Sequence, residues 1–310
     1  MKSFIRLAIT IIALVGMTAS AVWAEEPSEG QSPAPAEKTL RVLSIGNSFS
    51  NSLSRYFKPV VESVPGCHLE WDQIYIGGCS MERHWSNIDR EANDPSWRFF
   101  KTWSYKDKVQ SKPWDFVSIQ QASHFSWQPD SYFPYAKNLY DFIKENAPTA
   151  EIVIQETWAY RPDDGRLSQW GITQDQMYEK LKAAYTAAAQ KLGVRLIPVG
   201  DAVQLARQTQ PGGYKPFKRA ELVYPDLPDM NGFLCGNLRW DDKNGKKTLV
   251  GDASHLNVRG EYLQACVWFA FLYDRDANKV TFVPNGISES DAKFLRSVAQ
   301  KAVDAVKAAE

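Results

Sequence analysis

The hydrophobic residues of this 310-residue chain follow two alternating periods from residue 40 onward. Short apolar runs of strand type are separated by longer segments in which apolar residues recur every three to four positions, as on one face of a helix. The predicted strands cover residues 41–46, 68–76, 114–120, 150–158 and 194–200. The predicted helices cover residues 53–64, 81–90, 95–103, 132–146, 175–192, 261–273 and 288–308. This alternation is typical of an α/β domain.

The first predicted strand ends at Gly46, and the polar residues Asn47 and Ser48 precede the helix predicted at 53–64. This is the pattern of a strand, a tight turn and a helix start. The backbone N–H groups and the positive dipole end of such a helix point toward the turn. Ser48 is therefore either a nucleophile whose oxyanion these donors stabilise, or an ordinary N-cap residue. This stretch alone favours the N-cap interpretation.

A second polar turn, containing Asp252 and His255, precedes the apolar helix predicted at 261–273. A serine nucleophile needs a base, and the base needs a carboxylate that orients it. A spacing of three residues on such a turn lets the carboxylate reach Nδ1 and leaves Nε2 free to face a hydroxyl. The alternative is a surface aspartate near a structural histidine. The chain has only four histidines, and the position of this one favours the functional interpretation.

Gly-Asn-Ser-Phe-Ser at 46–50 together with Asp-x-x-His at 252–255 resembles the SGNH/GDSL hydrolase superfamily. The chain is most similar to the DUF4886-like branch, which has an Ile-Gly-Asn-Ser-Phe-Ser block and a Gln-Gln-x-Ser block. The resemblance spans residues 40–275. It implies an α/β fold, a three-layer α/β/α sandwich around a flavodoxin-like, mostly parallel five-stranded sheet. It also implies ester hydrolysis without a cofactor, by Ser48, His255 and Asp252.

The same resemblance implies an oxyanion hole built from the Ser48 backbone, a glycine after the second strand and a polar side chain after the third. Gly78 is the preferred glycine, with Gly77 beside it. The commonest family pattern has an asparagine in the third block, where a gap-free match places His124. Gln121 is the other candidate and the favoured one, since it follows the branch pattern. Turn glycines, a backbone-satisfied Gln121 and a solvated His124 are the alternatives.

Other candidate substrate contacts lie near these residues. The fourth predicted strand has a polar, aromatic end, and its Trp158 is expected to face the pocket. The residues predicted to contact substrate are Gly77, His124 and Trp158.

Residues 1–24 have the composition of a signal peptide, with a charged start and an apolar core too short to span a bilayer. A retained membrane anchor is the alternative. Residues 25–38 are rich in Pro, Ser and Glu and are predicted to be a flexible linker. Residues 39–310 then form a single domain. The mature protein is predicted to be secreted or periplasmic and not to bind a membrane after signal cleavage.

Residues 209–250 form an insertion without regular periodicity, and a hairpin-turn signal occurs at Asn244-Gly245. Because a loop this long is usually functional or disordered, and because it directly precedes Asp252, we expect it to form one wall of the substrate site.

Composition adds limits on partners and metals. Lys plus Arg and Asp plus Glu number 36 each, so net charge gives no support for binding nucleic acid or an anionic membrane. The cysteines lack a CxxC spacing and a histidine cluster, which argues against a zinc site. An oxidising compartment allows them to pair in three ways, although the helix position of Cys266 favours a buried free thiol. The four are Cys67, Cys79, Cys235 and Cys266.

The resulting prediction is an exported serine esterase acting on small-molecule or glycan O-acyl esters. Exported members of the superfamily suggest that the acyl group is acetyl and that the alcohol is a carbohydrate. No metal or organic cofactor is expected, and the sequence does not predict the oligomeric state. The alternative is a non-catalytic carbohydrate-binding or cell-surface protein on the same fold. The missing asparagine favours that alternative, whereas the presence of Ser48, Asp252 and His255 argues against it.

Overall fold

The computed structural model describes residues 37–309. The strands in this range are β1 (Lys38–Gly46), β2 (Cys67–Tyr75), β3 (Phe116–Ile119), β4 (Glu151–Gln155), β5 (Arg195–Ile197), β6 (Arg239–Lys243) and β7 (Lys246–Val250). The first helices are α1 (Ser48–Asn51), α2 (Phe57–Glu62), α3 (Met81–Asn93), α4 (Tyr105–Val109) and α5 (Tyr135–Asn146). The later helices are α6 (Gly165–Trp170), α7 (Gln174–Leu192), α8 (Val199–Thr209), α9 (Val258–Tyr273) and α10 (Glu289–Lys307).

The five strands β1 to β5 form one sheet in the order β2-β1-β3-β4-β5, and every neighbouring pair is parallel. All four residues of β3 and four of the five in β4 are buried. Strands that read as continuous apolar runs are typical of a parallel sheet covered on both faces. The predicted flavodoxin-like, five-stranded α/β fold is confirmed.

Helices cover both faces of this sheet. The chain steps from β1 to β2 in one direction and from β2 to β5 in the other, so right-handed crossovers place α2 on the face opposite α3, α5 and α7. On the α2 face, α9 packs against α2 and α10 packs against α9. Thirteen residues of α9 are buried, which explains why this helix is apolar on all sides. The sheet and the helices on its two faces form the predicted three-layer sandwich.

Two predicted helices differ from the observed ones. The helix expected at 53–64 is broken into α1, a 3₁₀ turn at Ser52–Ser54, and α2. Proline lacks an N–H and is tolerated only in a first helical turn, so the new start at Phe57 accommodates Pro59. The segment 95–103 is not helical. Its aromatic residues pack on one another instead, with the rings of Phe100 and Trp103 stacked at 4.0 Å.

Other boundaries shift by a few residues, and two elements lack a predicted counterpart. Helices α6 and α8 are the two unpredicted elements. The start of α8 falls in residues 194–200, which are predicted to form one strand, whereas β5 ends at Ile197 and α8 begins at Val199. The predicted hairpin in the insertion is confirmed. Strands β6 and β7 are antiparallel, and Asn244 and Gly245 between them have φ angles of 54° and 78°. Positive φ at both positions is what a type I′ hairpin turn requires.

The predicted signal peptide at 1–24 and linker residues 25–36 lie outside the described residues. Lys38, predicted as the last linker residue, is instead the first residue of β1. Between residues 37 and 309, no helix is both long and apolar enough to cross a membrane. The four cysteines are buried and unpaired with one another, as expected for Cys266.

Candidate active site

The turn after β1 is fixed by Asn47 rather than by Ser48. The Asn47 side chain caps α1 by accepting a hydrogen bond from the Phe49 N–H at 2.9 Å, and its amide donates to the Cys79 carbonyl at 2.9 Å. These bonds hold the turn beside the end of β2 and satisfy a free N–H at the helix start. The N-cap interpretation of Ser48 is therefore wrong, and its hydroxyl is left for another partner.

Ser48, His255 and Asp252 come together at the carboxyl edge of the sheet. Ser48 Oγ lies 2.8 Å from His255 Nε2, and His255 Nδ1 is hydrogen-bonded to Asp252 Oδ2. A proton on Nδ1 leaves Nε2 free to accept a hydrogen bond from the Ser48 hydroxyl. The three side chains thus have the geometry of a Ser-His-Asp triad.

Asp252 is held in its charged form. Burial opposes ionisation of this carboxyl, but hydrogen bonds from the His255 ring and from the N–H groups of Ser254 and His255 outweigh it and lower the Asp252 pKa. The two N–H groups donate to Asp252 Oδ1 at 2.6 and 3.1 Å. A carboxylate with several donors remains charged at neutral pH, so it can stabilise a positively charged imidazole ring.

Trp158 supports the loop of residues 252–255, called the catalytic loop below. Its indole N–H donates to the Ser254 carbonyl at 2.7 Å, and its ring stacks on Phe49 at 4.2 Å. The Ser254 hydroxyl in turn donates to Asp252 Oδ1 at 2.8 Å. Because Trp158 is fully buried, the prediction that it contacts substrate is wrong. It positions the Asp252 carboxylate through Ser254 instead.

A row of buried amide side chains, which was not predicted from the sequence, lies beneath Ser48. Gln264 donates to Gln155 at 3.0 Å, Gln155 donates to Gln120 at 2.8 Å, and Gln120 donates to Asn47 at 2.7 Å. The row joins the turn after β1, the ends of β3 and β4, and the middle of α9, and its members are Asn47, Gln120, Gln155 and Gln264. The available signal was polar residues at the ends of buried strands and within an otherwise apolar helix. The row fixes the floor of the site.

The insertion at 209–250 packs directly against the catalytic loop. In the insertion, the Gly236 N–H donates to the His255 carbonyl at 2.8 Å. From the segment after β4, the Arg161 N–H donates to the Ala253 carbonyl at 2.7 Å. A Cβ on Gly236 would lie 1.9 Å from the Asp252 carbonyl oxygen, so only glycine permits this approach. The buried Arg161 side chain also donates to the Cys235 carbonyl. The insertion therefore braces the loop that carries His255.

The sequence profile of the DUF4886 family, described as a domain of unknown function, matches residues 41–227. The chain belongs to the DUF4886 family. The matched range contains Ser48 and ends before Asp252 and His255. Among curated proteins the sequence has no match.

Solved structures include another member of this family, from Bacteroides uniformis ATCC 8492. It is 26% identical, with a TM-score of 0.66, over 86% of this chain and 95% of that one. A candidate SGNH hydrolase from Slackia heliotrinireducens is 20% identical, with a TM-score of 0.47, over 75% and 98%. A candidate GDSL-like lipase from Parabacteroides merdae ATCC 43184 is 10% identical, with a TM-score of 0.41, over 87% and 97%. The last two likenesses are too distant to bear on activity.

In this DUF4886 protein, Gln121 is not a free oxyanion donor. Its Oε1 accepts from the Met81 and Ala122 N–H groups at 3.0 and 2.8 Å. Its Nε2 donates to the carbonyl and hydroxyl of Ser131 at 2.7 and 3.2 Å. The side chain is buried with both polar atoms engaged, so the favoured assignment of Gln121 to the oxyanion hole is wrong. It pins the loop after β3 to the start of α3.

His124 and the two glycines remain available at the same edge. His124 is partly exposed beyond the end of β3; burial, followed by the charge of Arg166, lowers its pKa, so it carries one N–H at neutral pH. Gly77 and Gly78 are exposed just beyond β2, where the Ile76 N–H donates to the Gly46 carbonyl at 3.2 Å. Gly78 has a φ of 63°, which favours glycine.

Two cavities of the described residues lie elsewhere. One, of about 490 Å³, lies among α3, α4 and α5, and the other, of about 930 Å³, lies between the insertion and the starts of α9 and α10. Neither is lined by Ser48 or His255, which lie at an open edge of the molecule. In the described part of the chain, no group of three or more His, Cys, Asp and Glu side chains could hold a metal ion.

Proposed function

We propose that this DUF4886 protein is a serine ester hydrolase. The observation that carries the proposal is the hydrogen-bonded chain from Ser48 Oγ through the His255 ring to Asp252. A partly exposed serine that donates to an imidazole, oriented by a charged carboxylate, is the arrangement that activates a hydroxyl nucleophile. The non-catalytic alternative gives no reason for this arrangement at an open edge of the sheet.

In the proposed reaction, Ser48 Oγ forms a bond to the ester carbonyl carbon while His255 Nε2 takes the hydroxyl proton. Asp252 stabilises the positive charge on the ring. The tetrahedral intermediate collapses, the bond to the alcohol breaks, and His255 returns the proton to the leaving oxygen. Water then attacks the acyl carbon and loses a proton to His255. The bond between the acyl carbon and Ser48 Oγ breaks, His255 returns the proton to Oγ, and the acid leaves.

The oxyanion of both intermediates needs hydrogen-bond donors. The proposed donors are the Ser48 N–H, the Gly78 N–H and the His124 ring. Ser48 is the first residue of α1, so its N–H has no acceptor within the helix. His124 replaces Gln121 in this role, since the Gln121 amide is already bonded to Ser131. A neutral imidazole can donate one hydrogen bond to a developing oxyanion.

The proposed substrates are O-acyl esters, chiefly O-acetyl esters, of carbohydrates outside the cytoplasm. The signal-peptide composition of residues 1–24 supports export to the periplasm or the medium. The exposure of His255, whose side chain is 47% accessible, suits a substrate too large for an enclosed cavity. The resemblance to exported SGNH hydrolases supports the acetyl group and the sugar.

A fluorophosphonate probe tests the proposal without knowledge of the substrate, because it labels only activated serines. Wild-type protein should be labelled at Ser48, located by mass spectrometry, and Ser48→Ala should not be labelled. Ser86→Ala, which changes an exposed serine on α3, is the matched control and should label normally. Ser48→Ala should also lose hydrolysis of a short aryl ester by up to ~10⁶ in kcat. An unlabelled wild-type protein would favour the non-catalytic alternative.

A further inference from the structure

Two exposed aromatic side chains flank the candidate nucleophile. Large hydrophobic side chains are rarely this exposed in residues 37–309; besides three in the insertion, they are Tyr75 at 40% and Phe125 at 37%. Tyr75 is the last residue of β2, and Phe125 follows β3. Those strands are the two neighbours of β1, whose end carries the Ser48 turn. The strand order therefore places the two residues at or after the ends of the strands that flank the Ser48 turn.

Tyr75 lies over the glycine turn. Its backbone pairs with Gly46 in the register of β1 and β2, one position from the start of the Ser48 turn. Its hydroxyl lies 3.5 Å from the point that a Cβ on Gly77 would occupy. The side chain thus leans toward the carboxyl edge of the sheet and lies beside Gly77, which precedes the proposed oxyanion donor Gly78.

Phe125 follows β3, on the other side of β1 from β2, and its ring lies against His124. The two ring centroids are 4.2 Å apart, with an angle of 49° between the planes. Neither Phe125 nor Tyr75 belongs to the aromatic residues that pack against the hydrophobic core. Core packing therefore does not account for either ring. Phe125 lies against His124, a proposed oxyanion donor, and Tyr75 lies against Gly77, the residue before the proposed donor Gly78.

We infer that Tyr75 and Phe125 form a two-sided platform that holds the sugar ring bearing the ester. This inference rests on the proposed function and narrows its alcohol to a cyclic sugar. The face of an aromatic ring is negative, so it attracts the slightly positive C–H groups on the flat side of a pyranose. Stacking on both sides of Ser48 would orient the ring for attack. An acyclic alcohol of equal polarity offers no such flat face.

The first experiment compares variants that remove a ring with variants that keep one. The substrates are an O-acetylated methyl pyranoside and glycerol monoacetate, which is acyclic. Tyr75→Ala and Phe125→Leu should each raise KM for the pyranoside about three- to tenfold, with kcat little changed and the glycerol ester unaffected. Tyr75→Phe and Phe125→Tyr should behave as wild type. Val223→Ala, at an exposed apolar residue of the insertion, is the control and should change neither KM.

The second experiment separates this platform from the proposed chemistry. Calorimetry measures binding of the same pyranoside to Ser48→Ala and to Ser48→Ala combined with Tyr75→Ala. Weaker binding in the double variant supports the platform, whether or not wild type hydrolyses an ester. Absence of hydrolysis by wild type would contradict the proposed function and not the platform. Equal binding, or equal KM changes for the pyranoside and glycerol esters, overturns the platform and leaves the esterase proposal standing.

Discussion

His84 should make the fold acid-sensitive. It is fully buried in α3, its Nε2 donates to the Gly46 carbonyl at 3.1 Å, and its Nδ1 accepts from the Tyr105 hydroxyl at 2.8 Å. A neutral ring that carries its proton on Nε2 satisfies both bonds. Burial lowers the His84 pKa to about 4. Protonation would break the bond from Tyr105 and loosen Gly46, the residue at which the Ser48 turn begins.

The magnitude follows from the difference between folded and unfolded states. An unfolded histidine has a pKa near 6.5, so between about pH 6.5 and 4 the unfolded chain binds more protons than the folded one. Stability contributed by neutral His84 is therefore fully present above that window and lost as pH falls through it. The full effect is about 3 kcal/mol, and most of it should be gone at pH 4.5.

Urea unfolding at pH 7.0 and pH 4.5 measures this loss. Other carboxyl groups also titrate in this range, so the informative quantity is the difference between wild type and His84→Gln, whose amide can still donate to Gly46. Wild type should lose about 2–3 kcal/mol more than the variant. Tyr105→Phe keeps the buried histidine and should retain most of the acid loss. Equal losses in wild type and His84→Gln would refute the assignment of a buried neutral ring.

Three further predictions concern the site and the fold. His124→Ala should lower kcat for an aryl ester by ~10²–10³ with little change in KM. Gln121→Ala should cost about 1–3 kcal/mol of stability and leave kcat per folded molecule near wild type. If kinetics and urea unfolding show the opposite pattern for the two variants, Gln121 is the oxyanion donor. Trp158→Phe removes the donor to Ser254 and should lower kcat more than it raises KM; an unchanged kcat would show that this bond does not position Asp252. Burial raises the pKa of Glu156, so its contribution to stability falls as pH rises above the ordinary glutamate pKa. Glu156→Gln should therefore be more stable than wild type at pH 8 but not at pH 4, and a thermal unfolding series across this range checks the sign.

Local chemistry explains which features the sequence could predict. The strands, the α7 helix and the Asn244-Gly245 turn are each encoded within a few neighbouring residues, as are the Ser48 and Asp252–His255 turns. The sheet then brings these two turns together, because both lie at its carboxyl edge. The break in the predicted helix at 53–64 was also encoded locally, by Pro59, and the apolar periodicity concealed it.

The wrong assignments depended on partners that are distant along the chain. From the sequence, Gln121 is predicted to have a free amide. In the structure, that amide donates to Ser131, ten residues further along the chain. Trp158 reads as a pocket residue until the Ser254 carbonyl, 96 residues further on, takes its N–H. In both cases side-chain type was informative about polarity, while tertiary contacts decided whether the group was free or engaged.

The row of amides beneath Ser48 also constrains how this protein can change over evolutionary time. Gln120 and Gln155 each donate to one amide of the row and accept from another, so substituting either leaves at least two buried partners unmatched. Intermediate sequences with one apolar replacement would pay that penalty before any compensating change arose. Asn47, Gln120, Gln155 and Gln264 should therefore covary among relatives, being kept together or replaced together, whereas the exposed residues around them drift independently.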